Sequence, residues 1–457
     1  MLSREDNELL TRVGPGTAMG ALMRRYWIPV LQSAELEPGG RVKRVMLLGE
    51  RLIAYRAKNG TPGLIGEFCP HRLASLYFGR VEEAGMRCVY HGWAYGLDGQ
   101  CVDMPSEPPE SAFPGKIRTA AYPCAERGGV IWTYLGAERP LPPLPDLEWT
   151  LLPAAHVFAS KRVQECNWFQ ALEGGIDSSH IGFLHAPLRP DDADTVAELD
   201  RASFGVGAAV QAGDRAPRFD VIDTDYGVLI GARRTRGDGQ HYWRVSQFLL
   251  PFYTMPPTDL EARIVQSHIW VPMDDTHVVN WMMTWHPDRP LTREELVPHV
   301  EGKGSHVVEY LPPTSEPYGD IRTRANRAND YEMDWALHRD TMFCGIPGFG
   351  VQDQAIQESQ GAIVDRTGEH LGTSDSAIIK VRRRLLTAAR ALREHGTPPP
   401  GQDPASFLVR SASVVVPPGA PWVPAATPRI VVRPGQIDSH GGPDMASMPP
   451  SVRRAPS

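Results

Sequence analysis

The stretch CPHRLASLYFGRVEEAGMRCVYHGW, residues 69–93, decides how the chain is read. It holds a C-x-H pair, Cys69 and His71, and a C-x-x-H pair, Cys88 and His91, with sixteen residues between the pairs. Two thiols and two imidazoles repeated in this way form a metal-binding set. Pro70 follows the first cysteine and Gly92 follows the second histidine. Rigid and small residues beside ligands suit loops whose backbone closes on a bound group.

A structural zinc ion can take two cysteines and two histidines, usually with both sulfurs of a C-x-x-C loop on the one ion. Here each loop offers one sulfur and one nitrogen. A two-iron cluster uses that arrangement differently, with both thiolates on one iron and both imidazoles on the other.

With 457 residues, 42% hydrophobic and 22% charged, the chain has material for two or three globular domains. The net charge of −7 is spread without long runs, which argues against a nucleic-acid binder and its basic stripe. No apolar run approaches the roughly 20 residues that span a bilayer. The opening MLSREDNELLTRVGPG lacks the charged-then-apolar order of a signal peptide. A cytoplasmic location without membrane attachment is expected. Thiols there stay reduced, so neighbouring cysteines bind metal rather than pair.

Residues 1–25 read as helical, with Leu9, Leu10 and Val13 on one face before Gly14-Pro15-Gly16. Residues 26–145 read as short strands and turns, including a hairpin around Gly49-Glu50. The proline-punctuated RPLPPLPDLEW, 139–149, marks a boundary. Residues 146–396 hold long strand patterns at 227–234, 241–250, 262–273 and 277–285, then helical patterns from a Thr292/Glu295 capping box onward. The expected class is α+β: an all-β N-terminal domain, then an antiparallel sheet covered by helices in a helix-grip-like arrangement. Fourteen prolines fall between Pro398 and Pro456, so residues 397–457 are expected to be an extended or disordered tail.

The stretch NWFQALEGGIDSSHIGFLH, 167–185, carries Asp177, His180 and His185. On one helix His180 and His185 would diverge by about 140°, so chelation of one ion requires a widened turn or a helix end. A non-haem iron(II) site takes two histidines and a carboxylate on one face and leaves the other face open. Asp353, at the start of a helical pattern after a glycine-rich approach, is a candidate, as are Asp330, Asp334, Asp340 and Glu358.

Taken together, residues 26–390 resemble the large (alpha) subunit of Rieske non-haem iron ring-hydroxylating oxygenases. The stretches 167–185, RANDYEMDW (327–335), GIPGFGVQDQAIQESQG (345–361) and DRTGEHLGTSD (365–375) are similar to the phthalate and phenoxybenzoate dioxygenase group. The resemblance implies a Rieske [2Fe-2S] cluster on Cys69, His71, Cys88 and His91, and mononuclear Fe(II) on His180, His185 and Asp353. It implies that Asp177 bridges His180 to His91 of a neighbouring subunit in a homotrimer or stacked trimers, and it places Asn167 near the iron, where it also suits a helix cap.

The chain has no G-x-G-x-x-G after a strand, so electrons from NAD(P)H imply a separate flavin and iron–sulfur reductase. The implied reaction uses O2 to hydroxylate a small aromatic carboxylate or diaryl ether. Strand alternation puts Arg244 on one face with Tyr242, Ser246 and Phe248, a candidate carboxylate clamp, with Arg218 and Arg233 as weaker ones. Two other readings fit the same residues. One is a Rieske monooxygenase or O-demethylase of an aromatic acid. The other is a zinc-stabilised ligand-binding protein without chemistry.

Overall fold

A computed structural model describes residues 2–433, except 109, 190, 203–207, 259 and 261–262. Residues 434–457 of the expected tail lie outside the described residues.

The N-terminal segment forms two helices, Arg4–Thr11 and Ala18–Met23. Ser3 and Thr17 cap them by accepting from Asp6 N and Gly20 N. Leu9, Leu10, Val13 and Leu22 are buried in the largest core cluster. Both helices pack against the helix Ser376–His395 near the far end of the chain, so the segment clasps the second domain.

The next region is built from three small antiparallel sheets. One orders Trp27–Gln32, Val130–Tyr134 and Cys124–Arg127. Another orders Lys43–Leu47, Glu50–Arg56, Pro62–Gly66 and Ala121–Tyr122. The third orders Arg80–Glu82, Gly85–Arg87, Ala94–Gly96 and Cys101–Asp103 and has its own core with Ile53, Tyr55, Ile65, Met86, Trp93 and Tyr95. A partly buried ion network ties this region to the next. Glu35 accepts from Lys43 and from Lys161, and Lys43 also pairs with Asp320.

The second domain is an eight-stranded antiparallel sheet. Its order is Val157–Gln164, Val278–Trp285, Val265–Pro272, Tyr253–Met255, His241–Leu249, Gly227–Thr235 and Arg218–Asp223, with Ala412–Val416 added beside His241–Leu249. The helices Trp168–Ile176 and Ser376–His395 pack on it. Glu173, inside the first of these, accepts from Arg366 and Arg382, both buried, and so fastens that helix to the long one.

The tail expectation is corrected between residues 397 and 433. The strand Tyr253–Met255 is short and covers only Gln247–Leu249 of the strand His241–Leu249. The first half of His241–Leu249 would therefore present an open edge. Ala412–Val416 fills it, from His241↔Val416 to Val245↔Ala412. The helix Trp422–Ile430 then covers the added strand, with Trp422 stacked on Trp243 at 5.1 Å. Arg410 closes a buried pair with Glu148. Pro417, Pro418 and Pro421 flank these elements and Pro424 and Pro428 lie within the helix, while the β-branched run Val414–Val416 does the pairing.

Candidate metal centres

The two loops of the opening stretch have matching backbones. In the first, Cys69 N donates to Ala74 O and Leu73 N donates to Cys69 O. In the second, Cys88 N donates to Trp93 O and Gly92 N donates to Cys88 O. The fourth residue after each cysteine has positive φ, Leu73 at 57° and Gly92 at 78°. Glycine is required at 92, where a Cβ would lie 2.7 Å from Pro105. Both loops thus fold back on their own cysteine and present a histidine at the tip.

All six cysteines are free thiols, and Cys69 and Cys88 are buried. Cys69 Sγ lies 3.1 Å from Tyr95 Oη. The His71 and His91 rings are 4.4 Å apart, and His71 stacks on Trp93 at 4.2 Å. His71 Nδ1 is buried without a hydrogen-bond partner, an orphaned donor atom that suits a ligand. Four donors around a single zinc would all lie within about 4 Å of one another at bonds of 2.0–2.3 Å. Among the described residues only His180, His185 and Asp353 form a set of three or more donors lying within 4.8 Å of one another. The loop donors are spread more widely, as a two-iron cluster needs.

The second centre begins at the helix Trp168–Ile176, which ends before His180. Asp177 is its C-cap, with extended backbone (φ −82°, ψ 116°), and His180 opens a short 3₁₀ turn, His180–Gly182. Asp177 Oδ1 accepts from Ser179 N at 2.7 Å, and its Oδ2 is 3.2 Å from His180 Nδ1. That leaves His180 Nε2 facing outward. It lies 3.2 Å from His185 Nε2 and 3.5 Å from Asp353 Oδ1, and His185 Nε2 is 3.2 Å from the same oxygen. Three ligands on one face of an ion with bonds of about 2.1 Å would show edges of about 3.0–3.4 Å. The three side chains therefore fit a mononuclear ion.

Asp353 reaches this point from the helix Phe349–Ser359. Gly348 starts that helix at φ 81°, where a Cβ would meet Gly302 O at 2.3 Å. Burial alone would raise the Asp353 carboxyl, but the His185 and His180 imidazoles hold it down to about 2. The competing carboxylates are engaged elsewhere. Asp334 caps the helix Trp335–Asp340, Asp340 pairs with Arg339, and Glu358 accepts from Tyr331 Oη and Glu165 N. Asp330 is exposed, with a left-handed backbone.

Sequence reasoning missed Gln352. Its Oε1 lies 2.6 Å from His185 Nδ1, while its Nε2 donates to Ile346 O at 2.8 Å, which fixes the amide's orientation. Its position beside Asp353 was the available signal. Asn167 is a correction. Its Oδ1 accepts from Phe169 N, and its Nδ2 donates to Thr11 O and Asp275 O. It caps the far end of a nine-residue helix, about 15 Å from Asp177 at 1.5 Å per residue, and it does not line the site.

A cavity with about 660 Å³ of open space, partly continuous with solvent, adjoins the three ligands. Arg244 and Ser246 line it from one strand, and Gln266 and His268 from another. Tyr242 and Phe248, expected on the same face, are buried but do not line it, and neither do Arg218 and Arg233. Arg244 donates to Pro257 O at 2.9 Å. Burial pushes His268 down to about 4, so the ring is neutral near pH 7.

Residues 26–123 match the Rieske [2Fe-2S] domain family, and residues 133–431 match the family described as LigXa C-terminal domain like. The chain belongs to the oxygenase subunits of the Rieske non-haem iron oxygenases. It is 40% identical over 439 residues to the 3-chlorobenzoate-3,4-dioxygenase oxygenase subunit of Comamonas testosteroni, covering 94% of this chain and 99% of that one. It is 35% identical over 403 residues to the phthalate 4,5-dioxygenase oxygenase subunit of Pseudomonas putida, covering 86% and 87%. The terminal oxygenase of carbazole 1,9a-dioxygenase from Nocardioides aromaticivorans shares the fold, with a TM-score of 0.55 at 20% identity over 85% of this chain and 98% of that one. The protein is thus an oxidoreductase that uses a Rieske [2Fe-2S] cluster and a mononuclear iron.

Proposed function

We propose that this chain hydroxylates an aromatic monoacid or a related aromatic carboxylate with O2, using Cys69, His71, Cys88 and His91 to hold the cluster and His180, His185 and Asp353 to hold the iron. The observation that carries the reading is the meeting of His180, His185 and Asp353 beside a cavity that the buried Arg244 also lines. When bound, the iron supplies the position at which dioxygen is reduced with electrons from the cluster.

The chain's own residues do the rest. Asp177 holds His180 by Nδ1 and Gln352 holds His185 by Nδ1, so both rings turn Nε2 to the ion. Arg244 anchors a substrate carboxylate through charge-assisted hydrogen bonds and so sets which ring carbon lies nearest the iron. Phe349, stacked 4.7 Å from His185, gives the cavity an apolar wall for the ring.

Electrons come from a separate flavin and iron–sulfur reductase. They pass between subunits of a homotrimer, with Asp177 accepting from His180 and from His91 of a second copy. The Asp177 side chain is 21% exposed, which leaves an edge accessible. The cluster tip carries exposed Leu73, Val89 and Tyr90, and Phe183, Leu188 and Phe343 are exposed in the catalytic domain. Two apolar patches of this kind support head-to-tail association, which closes as a ring. Among the described residues no helix is long and apolar enough to cross a membrane, in keeping with a cytoplasmic site of action.

The test is product analysis with labelled dioxygen and a surrogate reductase on benzoate, 3-chlorobenzoate, phthalate, their neutral amides and methoxybenzoates. Label in a hydroxylated or dihydrodiol product is expected, with far more from the acids than from the amides. Unlabelled product, or dealkylation of methoxylated acids alone, would contradict ring hydroxylation.

A further inference from the structure

The turn Asp177–His180 is held from two sides. Asp177 binds Ser179 N and His180 Nδ1 on the metal side. Ser178, the residue between, turns its polar groups toward the sheet, where Arg234 captures both. Arg234 donates from Nη1 to Ser178 Oγ at 3.2 Å and from Nη2 to Ser178 O. Its Nε donates to Asp214 O at 3.1 Å.

Arg234 lies in the strand Gly227–Thr235 and is fully buried. Its acceptors are two carbonyls and a hydroxyl, none of them a carboxylate. The Asp214 carboxylate is turned instead to Thr235 N and Ala216 N. Burying a guanidinium on neutral acceptors is unfavourable relative to an apolar residue in the same place. What that placement supplies is geometric: one planar fork fixes both the carbonyl and the hydroxyl of a single residue, so Ser178 can neither rotate nor shift. Arg234 does not line the cavity, whereas Ser178 and Asp177 do. It therefore acts through the turn.

We infer that Arg234 is a positioning residue for electron transfer, clamping Ser178 so that the Asp177 carboxylate stays aligned between His180 and the incoming His91 of a second copy. This rests on the bridging role proposed for Asp177. Releasing the clamp lets the carboxylate swing without removing any metal ligand.

The test uses the metal-loaded full chain with benzoate as the probe acid, comparing Arg234→Gln, Arg234→Lys, Ser178→Ala, Asp177→Asn and the double variant Arg234→Gln/Asp177→Asn. The first readout is reoxidation of the pre-reduced cluster by O2, followed by its visible absorption. The second is product formed with hydrogen peroxide, which brings both oxygen atoms and the two electrons that the cluster would otherwise deliver. The third is iron content. Arg234→Gln should keep its iron and its peroxide-driven product and slow reoxidation about tenfold or more. The double variant should be no slower than Asp177→Asn within about twofold, because both changes act on one element. Arg234→Lys, with one donor for Ser178 O, should fall between wild type and Arg234→Gln. Ser178→Ala, which loses one of the two clamping bonds, should slow reoxidation about two- to fivefold and carries the test if Arg234→Gln fails to fold.

Additive loss in the double variant, loss of iron in Arg234→Gln, or unchanged reoxidation in both Arg234→Gln and Ser178→Ala overturns the inference. If Asp177→Asn itself reoxidises at the wild-type rate, the bridging role fails. If Asp177→Asn is slow and the clamp variants are not, only the inference about Arg234 fails.

Discussion

The two metal centres are assembled on different length scales. The loop donors Cys69, His71, Cys88 and His91 fall within 25 residues, on two loops of the same backbone form that share one small core. The proposed iron donors come from a turn after one helix and the first turns of another, His185 and Asp353 being 168 positions apart. The first site needs only local backbone geometry. The second needs the whole sheet to bring two helices together. What holds the second is accordingly remote: Glu173 with Arg366 and Arg382, and Glu148 with Arg410.

The sharpest way to separate the centres is to remove one donor from each. Asp353→Ala should abolish turnover and iron binding at the second centre while the cluster keeps its visible spectrum, since metal binding stabilises mainly its own site. Cys88→Ser should do the converse. Loss of both centres in either variant would break the comparison, and metal analysis beside an absorption spectrum decides it.

Next in size is Arg410→Met. It leaves Glu148 buried with Trp285 Nε1 as its neutral donor. Removing one partner of a buried pair costs about 3–5 kcal/mol. Denaturant unfolding should show that loss, with iron released at lower denaturant than the cluster is bleached. Equal shifts for both centres would mean that the domains unfold as one unit.

Arg244→Ala removes a charge-assisted contact of about 1.5–3 kcal/mol. With both metal centres intact, kcat/KM for an aromatic carboxylate should fall about 10- to 150-fold, at 1.4 kcal/mol per decade. A neutral arene of the same shape should change little. Equal loss for acid and neutral substrates would make Arg244 structural.

The smallest effect is expected for Gln352→Leu, which frees His185 Nδ1 while keeping all three donors. Iron affinity should drop about 10- to 100-fold, with the cluster unchanged. Titration of apo-protein with Fe(II) or Co(II) measures it, and undiminished affinity would show that Phe349 stacking alone orients the ring.

The same difference in scale explains what could be read in the sequence. The Rieske domain was legible because the spacing of the proposed loop ligands is itself the signal. The long strands were legible because runs such as Val278–Trp285 are dominated by Val, Met and Trp, and the structure buries that strand along its whole length. Asp353 could not be chosen over Glu358 or Asp334 by spacing, because what excludes those two is tertiary contact with Tyr331 and a local helix cap. The spacing of His180 and His185 called for a widened turn or a helix end, but not for an end as early as Asp177, because NWFQALEGGIDSSH stays compatible with a helix beyond it. The packed strand near residue 414 was missed because proline content describes the turns around it, whereas an open strand edge 170 positions earlier decides its fate.

The central claim is that one chain holds two separate iron centres on these seven donors. Iron and acid-labile sulfide, measured on the purified wild-type chain and on Asp353→Ala, test it most directly. The wild type should hold about three irons to two sulfides per chain, and Asp353→Ala about two to two. Zinc in place of iron and sulfide, or an unchanged ratio in Asp353→Ala, would contradict it.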